Sequence, residues 1–448
     1  MKLDLDETVL MPNAIRTVIP RIIQQYKSYC ESITFQPASD STLFKILNVC
    51  SASRQKSMKG LDYIATDGAE AFENLTDVAD RLVQAGDADD IWKKEMEEKL
   101  KASRRYVKVD YTSHVSTADK CADHCMTFAL SDIQSTEFNI KCDHDHLQTC
   151  ERCDGLENVL KEIHTKIQEG QQADDTKCRI EHEFQKCEAD IKSWKAHLLR
   201  TANQEIGKQT ALQQLQHDGV LIVMDWAMKY MPQKFREKMT DFFGKRGISW
   251  HVSAVISRKD GLDDFDVQCY VHIFDHVTQD WFAVASILEN VLQVIKENNQ
   301  DICRVYLRSD NAGCYHNAYL ISSLPDIGRR TGLQILRYDF SEVQSGKDIC
   351  DRKIGTMKSH INHWINEKND VTTAEQLKQA LDSHGGIVGC RIAVCKVNEQ
   401  RKNAENIKLD GISYFHNFEF NYWEVCVWKA YSIGVGKVIT ISTMAERL

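Results

Sequence analysis

Three acids in this chain stand where a carboxylate is costly unless it has work to do. Asp225 interrupts the apolar run VLIVMDWAM, Asp310 ends the alternating run RVYLRSD, and Asp351 lies in the opening turns of DICDRKIGTMKSHINHWI. An ionised carboxylate within an apolar strand is unstable unless it emerges at the sheet end or binds a cation. Two carboxylates brought together repel, and a divalent cation relieves that repulsion through oxygen ligands. Asp351 gains further from the helix dipole, and it shares a helix face with Gly355 and Lys358. A glycine at 355 predicts close approach of that helix to the sheet. Glu342 and Asp348 compete with Asp351 for the third place.

A second group has softer donors. Residues 121–153 read CADHCMTFALSDIQSTEFNIKCDHDHLQTCERC and hold five of the sixteen cysteines. Zinc takes four thiolate or imidazole ligands tetrahedrally, and a two-residue gap lets both thiolates of a pair face one ion. Cys150 and Cys153 have that gap. Cys142 with His144 or His146 supplies another pair. Cys121 and Cys125 join that site or build a second one with a spare histidine, His114 and His124 being further ligands. The expected role is to stabilise a small, poorly cored segment. Cys178 and Cys187, on the following helix, read as core or surface thiols.

The elements that must position these groups follow from periodicity and breakers. A chain of 448 residues predicts more than one domain. The formal charge of −9 argues against a uniformly basic coat but not against a local basic groove. No apolar run reaches membrane-spanning length, and the acidic start MKLDLDETVL is unlike a signal peptide, so an intracellular protein with reduced thiols is expected. The five prolines leave 38–231 clear, which permits long helices. Residues 39–103 read as helices, with Asp40 and Ser41 as caps before Leu43, Ile46, Leu47 and Cys50. Residues 104–154 read as short strand-like pieces around the Cys/His group. A helical pair over 155–216 breaks near Gly170. Beyond Gly219 the order is β-β-β-α-β-α-β-α, with Asp260 and Gly261 between the second and third strands. That order predicts a mixed sheet flanked by helices, with its first and fourth strands adjacent at the centre.

This order of elements, with VLIVMDWAM, RVYLRSDNAG and SGKDICDRKIGTMK, resembles the ribonuclease H-like catalytic domain of DDE transposases and retroviral-type integrases over roughly residues 217–370. The last two motifs are similar to those of eukaryotic cut-and-paste transposases, where an acid after a Gly-Lys pair precedes a helix with Gly and Lys. The resemblance implies an α/β ribonuclease H-like core behind a mainly helical, zinc-bearing N-terminal region. It also implies two-metal phosphoryl transfer on DNA with Mg²⁺ or Mn²⁺, Asp225 and Asp310 holding the metals and Asp351 completing the site. DNA ends and target are the implied partners, with a homo-oligomer, no membrane and a nuclear location. The third acid is Asp where Glu is commoner. The expected division is 1–103, 104–154, 155–216, 217–370 and a C-terminal α+β extension over 371–448. Other readings are a catalytically inactive DNA-binding regulator of the same fold and a metal-dependent structure-specific nuclease.

Further contacts to nucleic acid could come from the basic runs SASRQKSMKG and KASRRYVK, or from His360 and His363. Trp423, Trp428 and Tyr431 could stack bases, although packing into a small sheet is the favoured reading. GVGK lacks the spacing of a phosphate loop.

Overall fold

The structure, a computed structural model, describes residues 62–171, 174–238, 244–259, 264–342, 348–399, 402, 409–421 and 424–440, with short stretches at 14–15, 26–27, 30, 35–39, 42–43 and 53–54. The expected caps Asp40 and Ser41, most of the helix read after them, the run 55–60, the Asp260–Gly261 linker, the Gly346–Lys347 pair and Trp423 lie outside the described residues. The chain divides into two units, Met1–Tyr63 and Ile64–Leu448. In the first, Ala14–Ile15 pairs in parallel with Ser53–Arg54.

Helix α1 (Tyr63–Gln84), all but its first residue in the second unit, is followed there by α2 (Asp90–Arg105). Asp89 caps α2 by accepting from the Trp92 N–H. Helix α3 (Glu151–Glu169) and the 41-residue α4 (Asp174–Gln214) form the pair expected on either side of Gly170. Leu75, Leu82, Met96, Leu100, Ile163 and Trp194 pack together from all four helices.

Between α2 and α3 the chain does not form strands. It runs through a π-helical turn (Tyr106–Asp110) and short helices at Tyr111–His114 and Met126–Ala129, then a 3-10 turn at Thr136–Phe138. The alternation in YVKVDY misleads because Tyr106, Val107 and Tyr111 bury together as helical neighbours.

The remaining elements are β1 (Gly219–Tyr230), β2 (Ile248–Arg258), β3 (Phe265–Phe274), α5 (Trp281–Asn298), β4 (Arg304–Ser309), α6 (Ala318–Thr331), β5 (Gln334–Phe340), α7 (Ile349–Asn366), α8 (Ala374–Asp382), β6 (Cys390–Val394), β7 (Asn417–Asn421), β8 (Glu424–Trp428) and β9 (Lys437–Thr440). One sheet holds all nine strands in the order β9-β8-β7-β5-β4-β1-β2-β3-β6. Strand β1 lies antiparallel to β2 and parallel to β4, so the first and fourth strands are neighbours as their order requires. The C-terminal strands form no separate small sheet. They extend this one at both edges, β6 beside β3 and β7 beside β5.

Period-two alternation divides the core. Val220, Ile222 and Met224 face α5 and α6, where Leu288, Leu292 and Leu324 cover them. Leu221 and Val223 face α7 and α8, against Ile354, Met357 and Leu377. Gly355 does not mediate this contact, contrary to expectation. A Cβ there would meet nothing within 4 Å, and α7 seats through Cys350, Ile354, Met357 and Ile361 instead.

Candidate functional site

Alternation along β1 sends Asp225 to the same face as Leu221 and Val223. In β4, Val305 and Leu307 pack on the α5–α6 face, so Arg308 and the following Asp310 share the opposite parity. The last pair between these parallel strands is Met224 with Ser309, and the two acids are the next residues of each. Asp225 thus lies within β1, still paired with Val252 of β2, where the neighbouring β4 ends and Asp310 follows, and both face the side covered by α7, whose first turn carries Asp351.

Electrostatics tie the three together. Burial, then the charges of Asp310 and Asp351, push the Asp225 carboxyl up to about 7, against a backbone hydrogen bond at Trp226. Asp310 is exposed. Desolvation and the charge of Asp351 raise it, although the Ala312 N–H donates to its Oδ1 at 3.0 Å. That hydrogen bond is a turn contact of the ordinary kind, so part of the reason for an Asp here is local. Asp351 is exposed and has no ion-pair partner among the described residues. The three carboxylates do not form a set within 4.8 Å of one another.

The competing acids are engaged elsewhere. Glu342 is buried, which alone would raise it, but hydrogen bonds from His197 and Arg200 and the Arg200 charge hold it at about 2. The Arg200 Nη2 to Glu342 Oε1 distance is 2.7 Å. Asp348 caps α7 by accepting from the Ile349 N–H at 2.7 Å and pairs with Lys208 at 3.0 Å. All three cationic or imidazole partners belong to α4, which reaches the sheet through its C-terminal half. Sequence reasoning missed this role of α4, and the signal was Arg308, a charge inside an apolar strand. It is buried, donates to the Gln204 carbonyl of α4 at 3.1 Å and lies 4.0 Å from Asp348.

Also unforeseen is a set of buried polar atoms on Trp226, His251 and Tyr315. Trp226 and His251 meet edge to face at 5.0 Å, and His251 lies 6.0 Å from Tyr315. The Trp226 Nε1, His251 Nε2 and Tyr315 hydroxyl find no hydrogen-bond partner among the described residues. Burial drives His251 well below its ordinary value, with His272 adding to the shift.

The Cys/His residues form two groups rather than one. Ligand atoms of Cys125, Cys142, His144 and His146 all lie within 4.8 Å of one another. Within this group the Cys125 and Cys142 sulfurs are 3.8 Å apart, and Cys125 Sγ is 3.4 Å from His144 Nε2. His114, His124 and Cys150 make the other group. Cys153 stands with it, 3.4 Å from His124 Nε2. Cys121 joins neither set of ligand atoms, though the Cys150 charge contributes to raising its thiol, after burial and Asp123. Cys178 is exposed and Cys187 is buried in the helical core.

Other candidates have local partners. Arg104 pairs with Glu73 at 3.1 Å and Lys101 with Glu97 at 3.4 Å. His360 contacts the Ser383 carbonyl at 3.1 Å, and His363 lies 3.4 Å from Glu367. Trp428 donates to the Gly434 carbonyl at 3.2 Å, and the Arg337 guanidinium covers Tyr431 at 4.3 Å. These two rings pack within the protein. Among the described residues no helix is long and apolar enough to cross a membrane.

A family model described as "Domain of unknown function (DUF8701)" matches residues 204–432. No curated protein matches the chain. Among solved structures, the Mos1 transposase paired-end complex with left transposon end is 12% identical, with 55% of this chain and 81% of that chain covered and a TM-score of 0.22. A pre-cleavage Mos1 transpososome is 11% identical over 55% of this chain and 81% of that chain, with a TM-score of 0.20. The Mos1 mariner paired-end complex with Mn is 9% identical over 62% and 81%, with a TM-score of 0.21. At such scores these likenesses carry no argument.

Proposed function

The chain belongs to the family described as a domain of unknown function, DUF8701, and from its own site we propose that it is a DNA transposase with a ribonuclease H-like core, catalysing metal-dependent strand cleavage and strand transfer at transposon ends. The observation that carries this reading is the placement of Asp225, Asp310 and Asp351, the first two directly after the last residues that pair β1 with β4 and the third in the first turn of the helix covering that face, with the charges of Asp310 and Asp351 both raising Asp225.

The donor set fits a hard divalent cation. All three groups offer carboxylate oxygens, the ligand class of Mg²⁺ and Mn²⁺, and the raised Asp225 reports negative charge that a cation would balance. Asp225 and Asp310 are the residues to hold the metal, and Asp351 completes the set. Bound there, such an ion would supply Lewis-acid chemistry, lowering the pKa of a water or DNA 3′-hydroxyl and balancing charge on a departing oxygen.

The chain's own residues do the rest. Asp225 is fixed within a strand that stays paired with β2 at Val252 and is flanked by β4 up to Met224, so its position does not depend on a loop. The Ala312 N–H holds one oxygen of Asp310 and orients the carboxylate. Lys208 and the Asp348 cap set the start of α7 and hence the place of Asp351. Lys358 and Gly355 lie exposed along the same helix, giving a DNA backbone a cation and an unobstructed approach. Cys125, Cys142, His144 and His146 are the residues to hold a structural zinc, four borderline-soft donors already gathered. A homo-oligomer acting on paired DNA ends in the nucleus completes the proposal.

The test is cleavage of DNA carrying the element's own terminal sequences, with Mg²⁺ or Mn²⁺. The unmodified protein is expected to cut and to join the ends to a target. Asp225→Asn, Asp310→Asn and Asp351→Asn should each lower cutting by roughly 100-fold or more while DNA binding persists. Asp348→Asn should cost much less. DNA binding without cutting by the unmodified protein would replace this reading with a regulatory DNA-binding protein, and cutting without joining would replace it with a nuclease.

A further inference from the structure

The second Cys/His group is not a remnant of the first. Its donors come from separate elements: His114 from the short helix after the π-helical turn, His124 from the following loop, and Cys150 and Cys153 from the start of α3. Ligand atoms of His114, His124 and Cys150 lie within 4.8 Å of one another, and Cys153 Sγ approaches His124 Nε2 to 3.4 Å. The Cys150 sulfur is 4.0 Å from His114 Nδ1.

We infer that His114, His124, Cys150 and Cys153 form a second zinc centre, separate from the one at Cys125, Cys142, His144 and His146. Two thiols and two imidazoles are a complete tetrahedral set for zinc and a poor one for magnesium. The C-x2-C gap of Cys150 and Cys153 turns both sulfurs to one ion. The two sets are nested in sequence: all four ligands of the first centre fall between His124 and Cys150. His124 and Cys125 are adjacent, so the chain passes from one centre directly into the other.

The surroundings support a charged centre. His124 and Cys153 are buried, as is Tyr106, whose hydroxyl lies 2.9 Å from His124 Nε2 and 3.2 Å from Cys153 Sγ. The Lys195 ammonium of α4 stands 3.8 Å from the same sulfur and bonds Asp123 Oδ2 at 2.6 Å. A hydroxyl donor and an ammonium beside a sulfur are what a metal-bound thiolate uses to spread its charge. The first centre organises only loops, whereas the second ties those loops to the helical core through α3 and α4. It is independent of the acidic site and of the DNA chemistry proposed there.

The test counts metal in the full chain, purified under reducing conditions without chelators. Close to two zinc ions per chain are expected, falling to about one in Cys150→Ser and in His124→Ala, to about one in Cys142→Ser, and to about none when Cys142→Ser and Cys150→Ser are combined. A stoichiometry of one that Cys142→Ser abolishes and His124→Ala leaves alone would overturn the second centre. Cobalt titration of the unmodified chain answers the same question if the variants do not fold. Two equivalents developing thiolate–cobalt absorption support the proposal, and saturation at one equivalent refutes it.

Discussion

The oxygen donors at the end of the sheet and the sulfur and nitrogen donors of 104–154 are organised in opposite ways. Asp225 and Asp310 ride on paired strands whose neighbours Ile222, Val252 and Leu307 are buried whatever the acids do. With Asp351 their carboxylates form no set within 4.8 Å of one another. In the 104–154 segment the donors nearly touch, and although Tyr106, Val107, Tyr111 and Met126 join the helical core, the loops between them and α3 leave large apolar side chains exposed. Ile133 is 86% exposed, Leu147 83% and Phe128 50%. A region with a core can hold its acids in a loose, chemically open arrangement. Loops with little core of their own depend on their ligands to define their shape, because metal binding there is folding energy.

The largest expected effect breaks this contrast outright if it fails. Stripping zinc with a strong chelator should unfold 104–154, at a cost on the order of 10 kcal/mol per centre, while β1–β5 remain folded. Hydrogen exchange on the full chain reads both regions at once. Protection retained in 111–150 after metal analysis shows the zinc gone would refute the dependence.

A smaller effect sharpens the electrostatic side. Between an unfolded carboxyl value of about 3.9 and the folded value of about 7 for Asp225, the native state keeps a proton that the unfolded state has released. The stability of the zinc-loaded protein without Mg²⁺ or Mn²⁺ should therefore fall as pH rises from about 4 to about 7. Asp225→Asn should remove that fall and raise stability at neutral pH by on the order of 2 kcal/mol, a figure reduced from the full shift because the site is partly open to solvent. Denaturant melts at several pH values measure it. An unchanged pH slope in the variant would contradict the assignment.

The smallest effect concerns Gly355. An exposed helical glycine with open space at its Cβ should accept alanine with a gain of up to about 1 kcal/mol. A loss of stability in Gly355→Ala would restore the idea that glycine is needed for close packing of α7.

The sheet was legible because its strands and helices announce themselves locally. The run WFAVASILENVLQVIKEN carries its own cap in Asp280, and β1 reads as a strand without reference to its partners. The adjacency of β1 and β4 followed from element order alone. Three things needed the third dimension. The destination of β6 to β9 depends on which sheet edges are open, which no short motif encodes. The partition of the cysteines and histidines depends on loop paths, so the knuckle at Cys150 and Cys153 could not be matched to His124 rather than Cys142 by spacing. The fates of Glu342 and Asp348 depend on α4, whose Arg200 and Lys208 lie more than one hundred residues away in sequence and claim both acids.

The central claim is that the three acids at the sheet end hold a divalent cation. Mn²⁺ binding to the zinc-loaded full chain, followed by electron paramagnetic resonance, tests it without needing the DNA. The account expects Mn²⁺ to bind the unmodified chain, affinity to fall at least about tenfold in Asp225→Asn and in Asp310→Asn through loss of a charged oxygen ligand, and Asp348→Asn to bind almost as the unmodified chain does. Equal Mn²⁺ affinity in the unmodified chain, Asp225→Asn and Asp310→Asn would contradict it.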